Sequence, residues 1–510
     1  MNSVLLDRAP AGASLQALRV TAARLKRTSG PADAGHARAV CACVLAEFLR
    51  SSGATTFEWI KSDSSMRREM IAYGTLNSAA DFGRGAATLP RPLAAYLISS
   101  LYTSLLPSKI RSELGMFFTP PALVERLLDL AENAGVDWTS ARIIDPACGG
   151  GAFLAPVAGR IIRTMLGNGA AAADIVQHLE THLMGIEIDV FAAEMARAFL
   201  LLEVANLCPH QPLDFHQLLK VDDTLRTENG WAGQFDLVIG NPPYGRVSLP
   251  QRIRARYARS IHGHANLYAL FTELGVRLAR PDGLIAYVTP SSFLGGRYFC
   301  NLRRMLSEEA PPVSVDFVTD RSGVFDDVLQ ETMLTVFQKT RFSRPISVSF
   351  CRPASLDEPC KIATVGLFPQ VDKSVDPWLL PRRADHVSLL KRAGTLHNRL
   401  ANYGFAVSTG PLVWNRHKPQ LRNHPGERTF PLIWAEAVLR DGTFAFSAER
   451  RGHQPYFHVL EGQEHLVVRR PCILVKRTTA IEESRRVVAA KLPQALTKVY
   501  GGVVVENHLN

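Results

Sequence analysis

Three stretches of this 510-residue chain carry side chains whose types and spacing could do chemistry together. The first is Asp145-Pro146-Ala147-Cys148-Gly149-Gly150-Gly151-Ala152-Phe153-Leu154, which follows a short apolar run and opens a helical pattern. Consecutive glycines let a backbone turn tightly and approach a ligand with no Cβ in the way. Their spacing does not fit G-x-G-x-x-G, and Asp145 at the start of the turn would repel a pyrophosphate. The loop therefore suits a cationic, phosphate-free nucleoside better than a dinucleotide. The second stretch, Gly185-Ile186-Glu187-Ile188-Asp189, ends the next apolar run with carboxylates, where an acidic residue can hold ribose hydroxyls. The third is Asn241-Pro242-Pro243-Tyr244-Gly245, directly after Phe235–Gly240. Its prolines end a strand, fix a rigid turn and remove N–H donors, so carbonyl oxygens and the Asn241 amide oxygen are presented as acceptors. Such acceptors match an amino group with two N–H bonds, and Tyr244 offers a flat face for a planar ring.

These stretches need a scaffold that brings strand ends together. Between residues 111 and 345, short β-branched runs alternate with amphipathic stretches: Arg142–Ile144, Leu183–Ile188, Phe235–Ile239, Leu284–Val288, Val313–Val318 and Met333–Phe337 read as strands. Val190–Asn206 and Asn266–Arg280 read as helices between them, and the alternation predicts a doubly wound α/β sheet. Residues 1–110 show helical spacing, as in Ala37–Leu49 and Leu93–Leu105, with no chemical motif, and read as a helical accessory domain. Residues 346–384 are proline-rich and aperiodic and read as a linker, leaving 385–510 as a further domain of short strands and turns. The chain ends at Val503–Asn510, which looks like the middle of a strand-and-loop unit, so this last domain reads as truncated or completed by another polypeptide.

Charge is distributed unevenly about the formal total of +11: residues 1–111 carry +7, residues 385–510 carry +8, and the centre carries −4. Two basic flanks around an acidic centre suit a polyanion gripped while a central domain does chemistry. Arg246, Arg252, Arg254, Arg256 and Arg259 lie within fourteen residues of one another just after the Asn-Pro-Pro-Tyr turn and are candidates for phosphate contact. In the last domain, Trp414-Asn415-Arg416-His417-Lys418 interleaves basic and aromatic side chains suited to a nucleic-acid groove, with Arg416 and Lys418 as candidate contacts. The longest apolar runs, such as Gly283–Thr289, fall far short of the roughly 20 residues of a spanning helix. With no secretory signal visible and eight scattered cysteines lacking zinc spacing, a cytoplasmic protein without metal or membrane association is expected.

In the order and content of these motifs the chain resembles the gamma class of N6-adenine DNA methyltransferases of type II restriction–modification systems. The resemblance covers roughly residues 111–340. Phe118–Val124 is similar to motif X, which touches the cofactor in this class, Asp145–Phe153 to motif I, Gly185–Asp189 to motif II, Asp222-Asp223-Thr224-Leu225 to motif III and Asn241–Tyr244 to motif IV. Gly323-Val324-Phe325-Asp326-Asp327 is similar to motif VIII, after which this class carries a target-recognition domain. The resemblance implies a Rossmann-like sheet binding S-adenosylmethionine through Thr119, Asp145, Pro146, Cys148, Gly149 and Gly151. Glu187 would hold the ribose, and Asp223 or its neighbour Asp222 the adenine amino group. It further implies that Asn241 and the Pro242 carbonyl hold the target amine, while Tyr244 and Phe325 sandwich a base rotated out of double-stranded DNA. A cognate endonuclease would be a separate chain, since no Pro-Asp…Glu-x-Lys nuclease cluster is evident. Asn-Pro-Pro-Tyr also serves enzymes that methylate glutamine side chains or guanine amines of ribosomal RNA, but those relatives generally lack a large basic domain after the sheet. Cytosine N4 methyltransferases usually place Ser where Asn241 stands, and a degenerate scaffold subunit is disfavoured by the intact motifs I and IV.

Overall fold

Alternation in the central part of the chain builds, among the described residues, one nine-stranded mixed sheet. The structure, a computed structural model, describes residues 11–28, 33–53, 73–114, 118–205, 207, 218–227, 230–319, 331–342, 344–356, 358–371, 377–381, 385–479, 485 and 487–510. The chain divides into two compact units, Met1–Lys391 and Arg392–Asn510.

In the first unit, β1 (Ile143–Asp145), β2 (Leu183–Glu187), β3 (Leu219–Val221) and β4 (Phe235–Gly240) lie parallel to one another. A two-stranded ribbon follows, β5 (Arg246–Val247) with β6 (Ala265–Asn266), before the chain returns to the main sheet as β7 (Ala279–Pro290), β8 (Pro312–Val318) and β9 (Thr332–Gln338). With β10 (Ile346–Arg352) and β11 (Lys361–Phe368), the sheet order is β11-β10-β8-β9-β7-β4-β1-β2-β3. β9 runs antiparallel between β7 and β8, the single reversal in the otherwise parallel run from β3 to β8. The expected strands and helices appear within a few residues of their bounds, and the architecture is the Rossmann-like α/β sheet anticipated from the alternation.

Segment 346–384 corrects the expected linker: it supplies β10 and β11, which extend the sheet beyond β8. Its prolines bracket the strands instead of interrupting them, since Pro345 precedes β10 and Pro353 follows it. β11 is a largely exposed edge strand, so its burial leaves no clean period of two to read.

Helices cover both faces. β1 shows why: Ile143 packs with α6 (Pro121–Asn133), α7 (Leu154–Gly167) and α8 (Ala172–His182), while Ile144 packs on the opposite face with α11 (Leu267–Leu278) and α12 (Cys300–Glu309). α9 (Val190–Val204) buries Ala193, Ala196 and Leu200 towards the sheet layer and Phe191, Met195 and Phe199 towards a further helical layer. A helix apolar on every side must be covered on every side. That cover comes from α1 (Ala11–Thr28), α2 (Ala34–Ser51), α3 (Tyr73–Ala86) and α4 (Arg91–Leu105), so the N-terminal helices share a core with the sheet domain. Among the described residues no helix is long and apolar enough to cross a membrane.

The second unit has its own core around a five-stranded sheet in the order β12-β14-β13-β18-β15: β12 is Leu421–Arg422, β13 Thr429–Ile433, β14 Tyr456–His458, β15 Val467–Val468 and β18 Val503–Val505. Leu432 and Phe457 pack on one side and Ile433, Val503 and Val505 on the other.

Candidate active site

β4, β1 and β2 are parallel neighbours, so the loops after Gly240, Asp145 and Glu187 leave from one edge of the sheet. A cavity of about 230 Å³ opens there. Gly149 and Gly151 both adopt positive φ, +54° and +81°, conformations that cost an L side chain roughly 1–2 kcal/mol. A Cβ on Gly151 would also stand 2.9 Å from Ala196 Cα, so glycine alone lets the loop close against α9. The loop is pinned at both shoulders: Cys148 N donates to Ile186 O at 3.0 Å, and Thr224 Oγ1 donates to Pro146 O at 2.7 Å.

Glu187 is buried and receives backbone N–H groups on both oxygens, from Asp189 at 2.9 Å and Gly149 at 2.8 Å. Each oxygen retains a second lone pair for a ligand hydroxyl. Burial outweighs these bonds and pushes its carboxyl up to about 6. Asp145 is buried more deeply, and its Oδ1 accepts from Ala147 N at 3.1 Å while Oδ2 has no hydrogen-bond partner among the described residues. Desolvation, with Glu187 nearby, pushes it up to about 8. Gly240 makes room for this carboxyl, since a Cβ there would lie 2.6 Å from Asp145 Oδ1.

Residues 181–325 match the family described as Eco57I restriction-modification methylase. Type II methyltransferase M.PstI of Providencia stuartii is 25% identical over 404 residues, covering 76% of this chain and 75% of its own length. M.BsuBI of Bacillus subtilis is 25% identical, covering 79% and 78%, and M.TthHB8I of Thermus thermophilus is 31% identical, covering 40% and 41%. The chain is thus similar to type II restriction–modification methyltransferases over three quarters of its length. For the fold, a solved DrdV–DNA complex superposes with a TM-score of 0.51 at 13% identity, over 81% of this chain. The chain spans about half the length of that protein, 49%.

Thr119, Asp145, Pro146, Cys148, Gly149, Glu187 and Asp223 all line this same cavity, as does Asp222; Gly151 faces α9 instead. Asp222 and Asp223 are both engaged, the first accepting from Thr227 Oγ1 at 2.6 Å and the second paired with Arg226 Nε at 2.9 Å. Asn241 lines the cavity together with Pro243, whereas Pro242 and Tyr244 do not. The Tyr244 hydroxyl donates to Val288 O at 3.0 Å, and its ring meets Tyr268 edge-on at 6.1 Å. Phe325 and the stretch Gly323–Asp327 lie outside the described residues.

Arg246, Arg252 and Arg254 are exposed and Arg256 half-buried, on β5 and on the short helix α10 (Gln251–Arg256). Several are engaged within the chain: Arg254 donates to Gly263 O at 2.7 Å, Arg256 to Thr227 O at 3.3 Å, and Arg259 pairs with Glu309. Arg416 and Lys418 are exposed in the second unit, with Lys418 Nζ 5.5 Å from the Trp414 ring centre.

Sequence reasoning reached Phe118 through the resemblance to motif X but missed the rest of the apolar wall. Phe118 would stand 3.2 Å from a Cβ on Gly149, and Leu249, Ile253, Leu267 and Phe271 complete the lining. The readable signal was Ile253, a lone apolar side chain between Arg252 and Arg254 that needs somewhere dry to go.

Proposed function

We propose that this chain is a methyltransferase that binds S-adenosylmethionine in the cavity and methylates N6 of adenine in double-stranded DNA, as the cytoplasmic, gamma-class modification enzyme of a restriction–modification system. The observation that carries the reading is one continuous cavity with Glu187 and Asp223 among its walls and Asn241 of the Asn-Pro-Pro-Tyr turn lining it too. The residues present fit the cofactor. Two buried acceptors, Asp145 Oδ2 and Thr119 Oγ1, lack hydrogen-bond partners among the described residues, and a cationic ligand rich in N–H and O–H groups would satisfy them. Glu187 would hold the ribose and Asp223 the adenine amino group, with Pro146, Cys148 and Gly149 close against the ligand. When bound, S-adenosylmethionine supplies an electrophilic methyl group on a cationic sulfur.

An aromatic amine is a poor nucleophile because its lone pair is delocalised into the ring. In this reading, Asn241 Oδ1 and the Pro242 carbonyl accept its two N–H bonds, pull the nitrogen towards tetrahedral geometry and aim the lone pair at the methyl group. The apolar wall of Phe118, Leu249 and Ile253 excludes water from the reacting atoms. The target base must leave the helix to reach the turn, and Tyr244 with Phe325 would receive it. Arg246, Arg252, Arg254 and Arg256 would hold flanking phosphates. The second unit would read the sequence, with Arg416 and Lys418 among its contacts, and any cognate endonuclease would be a separate chain.

Asn241→Ala should abolish methyl transfer while S-adenosylmethionine and DNA binding stay within about twofold, because the amide acts mainly as the methyl moves. Mass spectrometry of nucleosides digested from duplex DNA should find N6-methyldeoxyadenosine with the wild type and none with the variant. A methylated glutamine or guanine instead would overturn the substrate, and an unchanged rate in Asn241→Ala would overturn the chemistry.

A further inference from the structure

We infer that Arg38 and Tyr102, on the N-terminal helices α2 and α4, are positioning residues for the cofactor pocket: they hold Asp189, and Asp189 holds Glu187. This rests on the cofactor reading above and assigns a role to a helical layer that carries no motif of its own.

Asp189 is 5% exposed, and its side chain receives three donors. Arg38 Nη2 donates to Oδ2 at 2.8 Å, Tyr102 Oη to Oδ1 at 3.1 Å, and Ala192 N to Oδ1 at 2.9 Å, the last as the N-cap of α9. Arg38 Nε reaches Tyr102 Oη at 3.4 Å, closing the triangle. Tyr102 is fully buried, its ring 4.9 Å from that of Phe191. The backbone N–H of Asp189 then donates to Glu187 Oε1 at 2.9 Å. A carboxylate clamped by three donors cannot swing, so the amide beside it keeps its aim on Glu187. The same helix α4 also braces the glycine loop, because Ser99 Oγ lies 2.6 Å from where a Cβ of Gly150 would be. Both halves of the pocket wall are thus backed by helices that precede the sheet in sequence.

The competing role is simple fastening of the helices to the sheet, and three measurements on the full chain separate the two. S-adenosylmethionine Kd by calorimetry, KM against kcat, and melting temperature are compared for the wild type, Tyr102→Phe, Arg38→Gln and Glu187→Ala. Tyr102→Phe and Arg38→Gln should each raise Kd and the KM for S-adenosylmethionine by about tenfold, the usual effect of losing a hydrogen bond to a charged group. The KM for DNA and kcat should hold, and melting should move by only a few degrees. Arg38→Lys should recover part of the loss. In a Glu187→Ala background neither substitution should weaken binding further, because both act through Glu187. A wild type that binds no S-adenosylmethionine would remove the cofactor reading itself. If the wild type binds and Glu187→Ala weakens it, unchanged Kd values in Tyr102→Phe and Arg38→Gln would overturn the positioning role alone. Losses that add fully to that of Glu187→Ala would do the same.

Discussion

Asp145 and Glu187 share the cavity, and burial raises both carboxyls, to about 8 and about 6. A carboxyl raised in this way is neutral below its pKa and ionised above it, and a cationic ligand prefers the ionised form. Binding of S-adenosylmethionine should therefore pull the carboxyls down and release protons, with affinity rising as pH goes from about 6 to about 8. Calorimetry near pH 7 in buffers of different ionisation enthalpy checks this; identical heats in all of them would refute it. Tyr244 gives a second residue-scale expectation. Phenylalanine there keeps the ring and loses the bond to Val288 O, at a cost of about 1 kcal/mol in stability, so much of the activity should survive. Alanine also removes the proposed stacking face, which would be worth roughly 1–3 kcal/mol, and steady-state rates of the two variants should differ accordingly. Neither the Val288 bond nor the Arg38–Asp189 pair was legible in the sequence. Their partners lie 44 and 151 residues away, and no local spacing encodes such distances.

At the scale of elements, much was legible because periodicity and strand-end chemistry coincide. Ile143 and Ile144 point to opposite helical layers, the period-two signature of a strand covered on both faces, and Asp145 follows at the edge where ligands bind. Asn241 could be placed at that edge because two prolines must end β4. The segment after β9 was misread because prolines were taken as breakers when they bound β10. Ile253 was missed as part of the pocket because its neighbours on α10 are arginines. Gly151→Ala must force a side chain into positive φ and against Ala196, at a combined cost of roughly 2–4 kcal/mol. A urea midpoint equal to that of the wild type would show that the loop does not need to close on α9.

The whole molecule is two units with separate cores, and the proposed division of labour follows that boundary. A chain ending at Lys391 should still bind S-adenosylmethionine but lose sequence preference, since the proposed base-reading surface begins beyond it. Modified-base sequencing of DNA exposed to the truncated enzyme checks this, and methylation of one unique site would refute it. During translation α1 to α4 leave the ribosome complete by Leu105, but the apolar side chains of α9 that share their core begin at Phe191. At about 5–20 residues per second, the nascent chain shows that uncovered surface for on the order of ten seconds. In that interval it is open to holdase chaperones and to other nascent chains alike. Substitutions that enlarge its apolar area should accordingly lower the yield of soluble enzyme in the cell before they alter the stability of the finished molecule.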